Sequence, residues 1–332
     1  MVLLLTNKKD VHPTSVLTYL REQGFPVFRL NTECLLTDYK IEWHSTRDKT
    51  GFYIQNVITG LSVSEQEVSA VWDRRPTAPE ILPTQNERDS INQYALEEAK
   101  YFLEYLKIYV KDKYSIGSSV YDRTASSKLL QNRVAIELGV RVPDTLFSND
   151  KQAILRFAAT HPFLAVKSLG GDTVTVEEGH YIVYTKKVAL SDLVTIPEDA
   201  FLQTVNYVQE YIEKDYEMRI TVVNNDVFAC KILSQEKEAD EGQIDWRQGY
   251  DYGITFLKSE APFAIESFCK KYLAKMELHF GCFDFIVDKE GDFWFLECNP
   301  NGQWLWIEEE TGMKISRSIA MSLIHRINLQ IP

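Results

Sequence analysis

The twenty residues Phe283–Gly302, FDFIVDKEGDFWFLECNPNG, can fold in few ways. Two runs dense in Phe, Trp, Ile and Val flank a turn containing Asp288 and Gly291, the pattern of a β-hairpin. Side chains at i and i+2 of a strand share a face, so Glu297 and Asn299 point the same way. With a loop over Asp288–Gly291, Val287 pairs with Asp292 and Asp284 falls opposite Phe295. Paired residues share a face, so Asp284 joins Glu297 and Asn299. On a solvated face these carboxylates would need no partner. The apolar density of both strands implies instead that both faces are covered, and covered carboxylates require a cation. Hard oxygen donors with positions left for phosphate oxygens suit Mg²⁺, with Asp284, Glu297 and Asn299 as its ligands.

A second hairpin is read from EMRITVVNNDVFACKI. Glu217, Arg219 and Thr221 share one face. With a three-residue loop, Arg219 lies opposite Lys231, and like charges facing each other destabilise a sheet unless an anion sits between them. A triphosphate would be that anion, whereas a one-residue slip would remove the pairing. FLAVKSLGGD places Lys167 at a strand end before glycines, where a lysine can hold phosphate as a point charge. No GxxxxGK[ST] loop occurs. In YVQEYI the strand backbone can offer adenine a carbonyl and an N–H. Lys128, in YDRTASSKLL, reads by itself as a solvated helix lysine.

The net charge of -12 argues against a nucleic-acid surface, which needs clustered Lys and Arg. The five cysteines are scattered with no CxxC, and the six histidines form no HExxH, so neither a disulfide framework nor a zinc site is expected. A reducing cytoplasm fits that thiol usage. The N-terminal MVLLLTNKKD is too short in its apolar run for a membrane span and reads as a first core strand.

The 332 residues call for two or three packed units. Residues 1–113 alternate strand and helix (VLLLTN, TSVLTYLREQG, VFRLN), the pattern of a small doubly wound α/β domain. DYKIEWHS, GFYIQNV and AVWDRRP add strands, and a helix follows from Asn86 to Val110. Residues 114–207 hold a helix over TASSKLLQNRVAIELG closing at Gly139, the strands VPDTLFS and FLAVKS, and a hairpin around Gly179-His180. Residues 208–332 are rich in antiparallel hairpins, with helices at about 261–276 and 313–328 to cover them. Both later units read as α+β.

The order of these parts resembles the ATP-grasp superfamily. It runs Lys128, Lys167, the Gln209–Ile212 segment, Glu217 and Arg219, Asp284, and Glu297 with Asn299. A closer likeness is to the microviridin-type peptide maturases that make graspetides, carried by SAVWDRRP, VQEYIEKDYEMRITVV, IDWRQG and LECNPNGQWLWIEE. The resemblance implies an N-terminal pre-ATP-grasp domain and two facing α+β modules with ATP between them. It implies a ligase that phosphorylates Asp or Glu side chains of a ribosomal precursor peptide. The activated carboxyls then close ester rings with Thr or Ser, or amide rings with Lys. Lys128 and Lys167 would hold phosphates. The segment Gln209, Glu210, Tyr211 and Ile212 would bind the nucleotide, with Glu210 and Ile212 meeting adenine through their backbone, and Glu217 would meet ribose. Arg219, Lys231 and Arg247 would surround the transferring phosphoryl group, and Mg²⁺ would sit on Asp284, Glu297 and Asn299. A leader segment would dock near Thr173–Thr204, although the stretch between Ile196 and Val208 is longer than in relatives. Arg74 and Arg75 would either steer an acidic core peptide or pair with local carboxylates. Relatives suggest a homodimer, with neither nucleic acid nor membrane as partner. The rival readings are an ATP-grasp ligase for amino acids or small molecules, and a non-catalytic nucleotide-binding module.

Overall fold

The structure, a computed structural model, describes residues 1–81, 89–117, 119–170, 173–176, 179–236, 240–248 and 253–328. The first strand is wholly buried, as its apolar run dictates: β1 (Val2–Thr6) lies at the centre of a parallel sheet. It is followed by α1 (His12–Glu22), which carries proline in its first turn and buries Val16, Leu17 and Leu20 at helical spacing. Next come β2 (Val27–Asn31), β3 (Tyr39–Ser45), β4 (Thr50–Asn56), β5 (Ser62–Ser64), β6 (Ala70–Asp73), α2 (Asp89–Tyr109) and β7 (Tyr114–Ile116). The parallel order is β2-β1-β6-β7, and β3-β4-β5 form a separate antiparallel meander. The sequence places a helix from Asn86, and its first three positions lie outside the described residues. The strand at Tyr114 belongs to this N-terminal sheet, beyond the boundary read at residue 113.

The central part runs α3 (Ser119–Ala125), α4 (Lys128–Glu137), β8 (Thr145–Ser148), α5 (Lys151–Ala158), β9 (Leu164–Lys167), β10 (Thr173–Val176) and β11 (Gly179–Ile182). It ends with β12 (Lys186–Val188), α6 (Leu190–Thr195), α7 (Glu198–Leu202) and β13 (Asn206–Glu210). The sequence pattern reads as one helix from Thr124 to Gly139, but two occur. Ser127 interrupts the run because its hydroxyl accepts from Leu130 N and caps a new helix, leaving Lys128 at the first helical position. The sheet order is β12-β9-β13-β8, all antiparallel. The long stretch after Ile196 is taken up by α7, whose Phe201 plugs the small core of Ile154, Leu164, Leu193 and Val208.

The last part is a five-stranded antiparallel sheet with helices on both faces. Its elements are β14 (Lys214–Val223), β15 (Asp226–Ile232), α8 (Asp240–Ile244), β16 (Phe256–Ser259), α9 (Phe263–Lys275), β17 (Phe280–Asp288), β18 (Phe293–Asn299), α10 (Leu305–Thr311) and α11 (Ile315–Asn328). The order is β16-β15-β14-β17-β18. Phe268 and Tyr272 of α9 pack edge-on against Phe283, Phe285 and Phe295. Each such ring contributes on the order of 2–3 kcal/mol through burial. On the other face α11 packs against α1, and one core joins Val2, Leu4 and Trp72 to Phe280, Trp304 and Ile319. The N-terminal and C-terminal units therefore share a single apolar interior. Among the described residues no helix is long and apolar enough to cross a membrane.

His12 sits at that shared interior, edge-on to Trp304 with ring centres 4.7 Å apart. Burial, reinforced by the Arg74 charge, lowers its pKa from 6.5 to about 4. The folded state thus binds fewer protons than the unfolded state between those values. Stability is full above pH 6.5 and is lost as pH falls toward 4, by an amount on the order of 2–3 kcal/mol. His12→Phe should flatten this acid limb in melts taken across that range. An unchanged slope would remove His12 as its cause.

Candidate active site

Pairing places the ribbon carboxylates opposite one another, though not through the register expected. The turn closes with Asp288 N–H donating to the Asp292 carbonyl (3.1 Å), so Val287 pairs with Phe293 rather than with Asp292. Continued unbroken, that register would set Asp284 against Leu296. A bulge between Asp284 and Phe285 leaves Leu296 as an extra residue, and Asp284 pairs with Glu297. Phe295 is thereby left facing the aromatic core, while Asp284, Glu297 and Asn299 share the opposite face. The shared face expected from the sequence is present; the pairing of Asp284 with Phe295 is not.

The β14–β15 hairpin corrects a second expectation. Its turn has two residues, Asn224 and Asn225, with Asn224 in the left-handed region (φ 51°) that asparagine tolerates. Arg219 therefore pairs with Cys230, and Lys231 pairs with Met218. Lys231 lies on the far face, its Nζ 3.6 Å from the centre of the Tyr216 ring. It does not join Arg219, and no anion is needed to separate them.

Arg219 instead faces Asp284 across β17, with Nη1 2.7 and 2.5 Å from the two carboxylate oxygens. Burial works against the Arg219 charge, but Asp284 more than restores it and holds the guanidinium protonated. Burial pushes Asp284 up to about 6, helped by Glu297 and opposed by Arg219. Burial would also raise Glu297, yet Lys128, Lys167 and Arg219 hold it down at about 2. Glu297 forms its ion pair with Lys128, projected by the first turn of α4. Glu217, on the Arg219 face, accepts from Lys214 and from Ser234 Oγ (3.2 Å).

Across from this sheet stands the inner face of the central one. Lys167 donates to Gln209 Oε1 (2.6 Å), and Gln209 Nε2 donates to Thr145 Oγ1 (3.0 Å). Burial lowers the pKa of Lys167 to about 8, with Glu297 and Asp245 opposing the shift and Lys128 and Lys214 adding to it. The two sheets thus bring their charged groups into one cleft. At its edge the β13 ladder uses the Glu210 N–H (to the Asp144 carbonyl, 2.8 Å) and the Tyr211 N–H (to the Phe163 carbonyl, 3.1 Å). The strand ends at Glu210, before Ile212. Arg247 is gripped by Asp245 (Nη2 to Oδ2, 2.7 Å), and Asp245 also accepts from Thr185 N (3.1 Å), pinning the loop after α8 to the central unit.

Lys214 and Asp245 were not singled out from the sequence. Strict alternation puts Lys214 and Glu217 on opposite faces, but a bulge at Asp215 returns Lys214 to the Glu217 side. Asp245 carries no local signal beyond lying two residues before Arg247 in IDWRQG.

The two candidate substrate arginines separate. Arg74 is 1% exposed and bound to Asp10, Asn301 and Gly302, so it cannot steer a peptide. Its neighbour Arg75 is exposed, in a left-handed conformation (φ 48°), with Nε on the Asn301 carbonyl (3.2 Å).

The residues on this face fit a divalent cation. Two carboxylates stand opposite each other with an amide oxygen beside them, and the upward pressure on Asp284 from Glu297 is the repulsion that such a cation relieves.

The chain has the ATP-grasp fold with an N-terminal pre-ATP-grasp domain, and the resemblance drawn from the motifs is borne out. Residues 1–116 match the MvdD pre-ATP grasp domain. No curated protein sequence matches. A Chryseobacterium gregarium RiPP-associated ATP-grasp ligase, solved with ADP and a leader and core peptide, is similar over 98% of this chain and 96% of its own, at TM-score 0.88 and 26% identity. Macrocyclase MdnC of Microcystis aeruginosa MRC, bound with precursor peptide MdnA, is similar over 98% and 99%, at TM-score 0.83 and 25% identity. Macrocyclase MdnB of the same source shares the fold at TM-score 0.78 and 23% identity.

Proposed function

We propose that this chain is an ATP-dependent macrocyclase of a ribosomal precursor peptide. It activates Asp or Glu side chains as acyl phosphates and closes rings with Thr, Ser or Lys. The observation that carries the reading is the meeting of Lys128, Lys167, Arg219, Asp284 and Glu297 in one cleft. The chain that holds them matches peptide-bound ligases along nearly its whole length.

A carboxylate repels nucleophiles, and phosphorylation gives it a leaving group. Phosphoryl transfer needs positioning and charge neutralisation more than covalent help from the protein. Lys128 and Lys167 would hold phosphates, and the segment Gln209, Glu210, Tyr211 and Ile212 would bind the nucleotide, with the Glu210 and Ile212 backbone at adenine and Glu217 at the ribose. Asp284, Glu297 and Asn299 would hold Mg²⁺, which supplies charge neutralisation on the phosphates. Arg219 and Arg247 would offset charge on the phosphoryl oxygens and on the oxyanion of ring closure. Arg75 is the remaining candidate for steering an acidic core. The leader would dock on the segment Thr173–Thr204, where Val174, Tyr181, Ile182, Leu190 and Val194 are exposed. A reducing cytoplasm suits the five free thiols.

The test is incubation with ATP, Mg²⁺ and an acidic, Thr-rich precursor peptide from a neighbouring reading frame. Loss of one water mass per ring with ADP release is expected. Gain of an amino-acid mass, or no ADP release, would overturn the reading.

We also infer a homodimer through α2. Ile91, Tyr94, Tyr101, Tyr105 and Ile108 are each at least 50% exposed, on the face opposite buried Ala99, Leu103 and Leu106. With Glu98 they follow a heptad seam, spaced three and four residues apart. The seam is nearly palindromic. An antiparallel twofold sets Ile91 against Ile108, Tyr94 against Tyr105 and Glu98 against Tyr101, as an isologous contact requires. Light scattering should give twice the 38.4 kDa chain mass. Tyr94→Glu combined with Tyr105→Glu sets carboxylates face to face and should yield monomer; a persisting dimer would place the interface elsewhere.

A further inference from the structure

We propose that Arg74 is a positioning residue through which the N-terminal domain holds the Asn299 ligand and its surroundings in working geometry. The inference rests on the ligase reading for what Asn299 does. The physical puzzle is a cation buried between two domains. Burial lowers the Arg74 pKa to about 10, so the site strains its charge. An apolar side chain could fill the same space at less desolvation cost. What Arg74 touches accounts for its presence.

Nη1 donates to the Asn301 carbonyl (2.7 Å), to Asn301 Oδ1 (2.7 Å) and to the Gly302 carbonyl (2.9 Å). Nε donates to Asp10 (3.0 Å), and the guanidinium lies 4.7 Å from the centre of the Trp304 ring. Three of these four acceptors thus belong to two residues, Asn301 and Gly302, of the loop that leaves Asn299. Arg75 adds a second hold on the same Asn301 carbonyl.

That loop reaches three parts of the site. The Asn301 N–H donates to Asn299 Oδ1 (3.0 Å), which fixes which way the Asn299 amide faces. Asn301 Nδ2 donates to Asp122 (3.1 Å), on α3 just ahead of Lys128. The next residues abut Arg219, whose Nη2 donates to the Gln303 carbonyl (3.4 Å). The seat is tight: a Cβ on Gly302 would lie 2.4 Å from Cys282 Cβ and 3.2 Å from Arg219 Nη2. Movement of this loop therefore shifts Asn299, the approach to Lys128 and Arg219 together. Partners that orient a metal ligand typically change metal affinity by about 10–100-fold.

The test measures ADP affinity with and without Mg²⁺ in wild type, Arg74→Lys and Asn301→Ala. Arg74→Lys keeps the charge and loses the fork. Asn301→Ala changes a half-buried side chain and keeps the domain interface should Arg74→Lys fail to fold. The gain in ADP affinity on adding Mg²⁺ should shrink by about tenfold in Arg74→Lys and severalfold in Asn301→Ala. Affinity without Mg²⁺ should stay within about twofold, a separation that a general loss of structure would not produce. The double variant should be no worse than the poorer single one. A folded variant of either kind with wild-type magnesium dependence would overturn the assignment. Wild-type protein that binds Mg·ADP but closes no ring would overturn the cyclase reading alone.

Discussion

Glu297→Gln should abolish ring closure, lowering its rate by on the order of 10³-fold or more, while leaving the affinity for the leader peptide within about twofold. The substitution keeps the shape of the side chain and removes its charge. Three cations currently lean on that charge: Lys128, in direct contact, and Lys167 and Arg219 around it. Without it Lys128 loses its partner, and the pair of carboxylates proposed to hold the metal is reduced to Asp284. The leader segment is proposed to dock on the central unit between Thr173 and Thr204, away from β18. Mass spectrometry of the peptide, with leader binding followed by fluorescence anisotropy, separates the two effects. Water loss at a near wild-type rate would show that Glu297 carries no part of the chemistry.

That this carboxylate could be found at all without coordinates depends on how a sheet stores information. Alternation in β18 puts Glu297 and Asn299 on one face whatever the register, and the unbroken apolar run Val2–Leu5 marks β1 as a central strand. Such features are local and survive small errors. Bulges are another matter, because each reverses the face of everything beyond it. The bulge at Leu296 restores a convergence of Asp284 and Glu297 that this turn's unbroken register would lose. The bulge at Asp215 concealed Lys214, whose ion pair with Glu217 no period-two pattern contains. Long-range pairing is the least legible layer. Arg74 and Asn301 are 227 positions apart, and the adjacent Arg-Arg pair gives no hint that one guanidinium is buried and the other exposed.

The hairpin turn at Asn224-Asn225 leads to the other large effect, because it decides between two cations by a single residue of register. Arg219→Lys should lower ring closure by about 100-fold with the protein still folded. Lysine retains the charge beside the half-buried Asp284, so that carboxylate keeps a cationic partner, which Arg219→Ala would remove. What lysine cannot supply is the second nitrogen of the planar fork: Nη1 holds both Asp284 oxygens while Nη2 reaches the Gln303 carbonyl. Lys231→Ala should leave ring closure within about threefold and cost only about 0.5–1 kcal/mol, the worth of its contact with the Tyr216 ring. A three-residue turn would reverse the expectation for Lys231 by swinging it onto the Arg219 face, and both variants would then fail together. Equal, severe losses in the two would therefore reject the two-residue turn, and with it the placement of every side chain on β15.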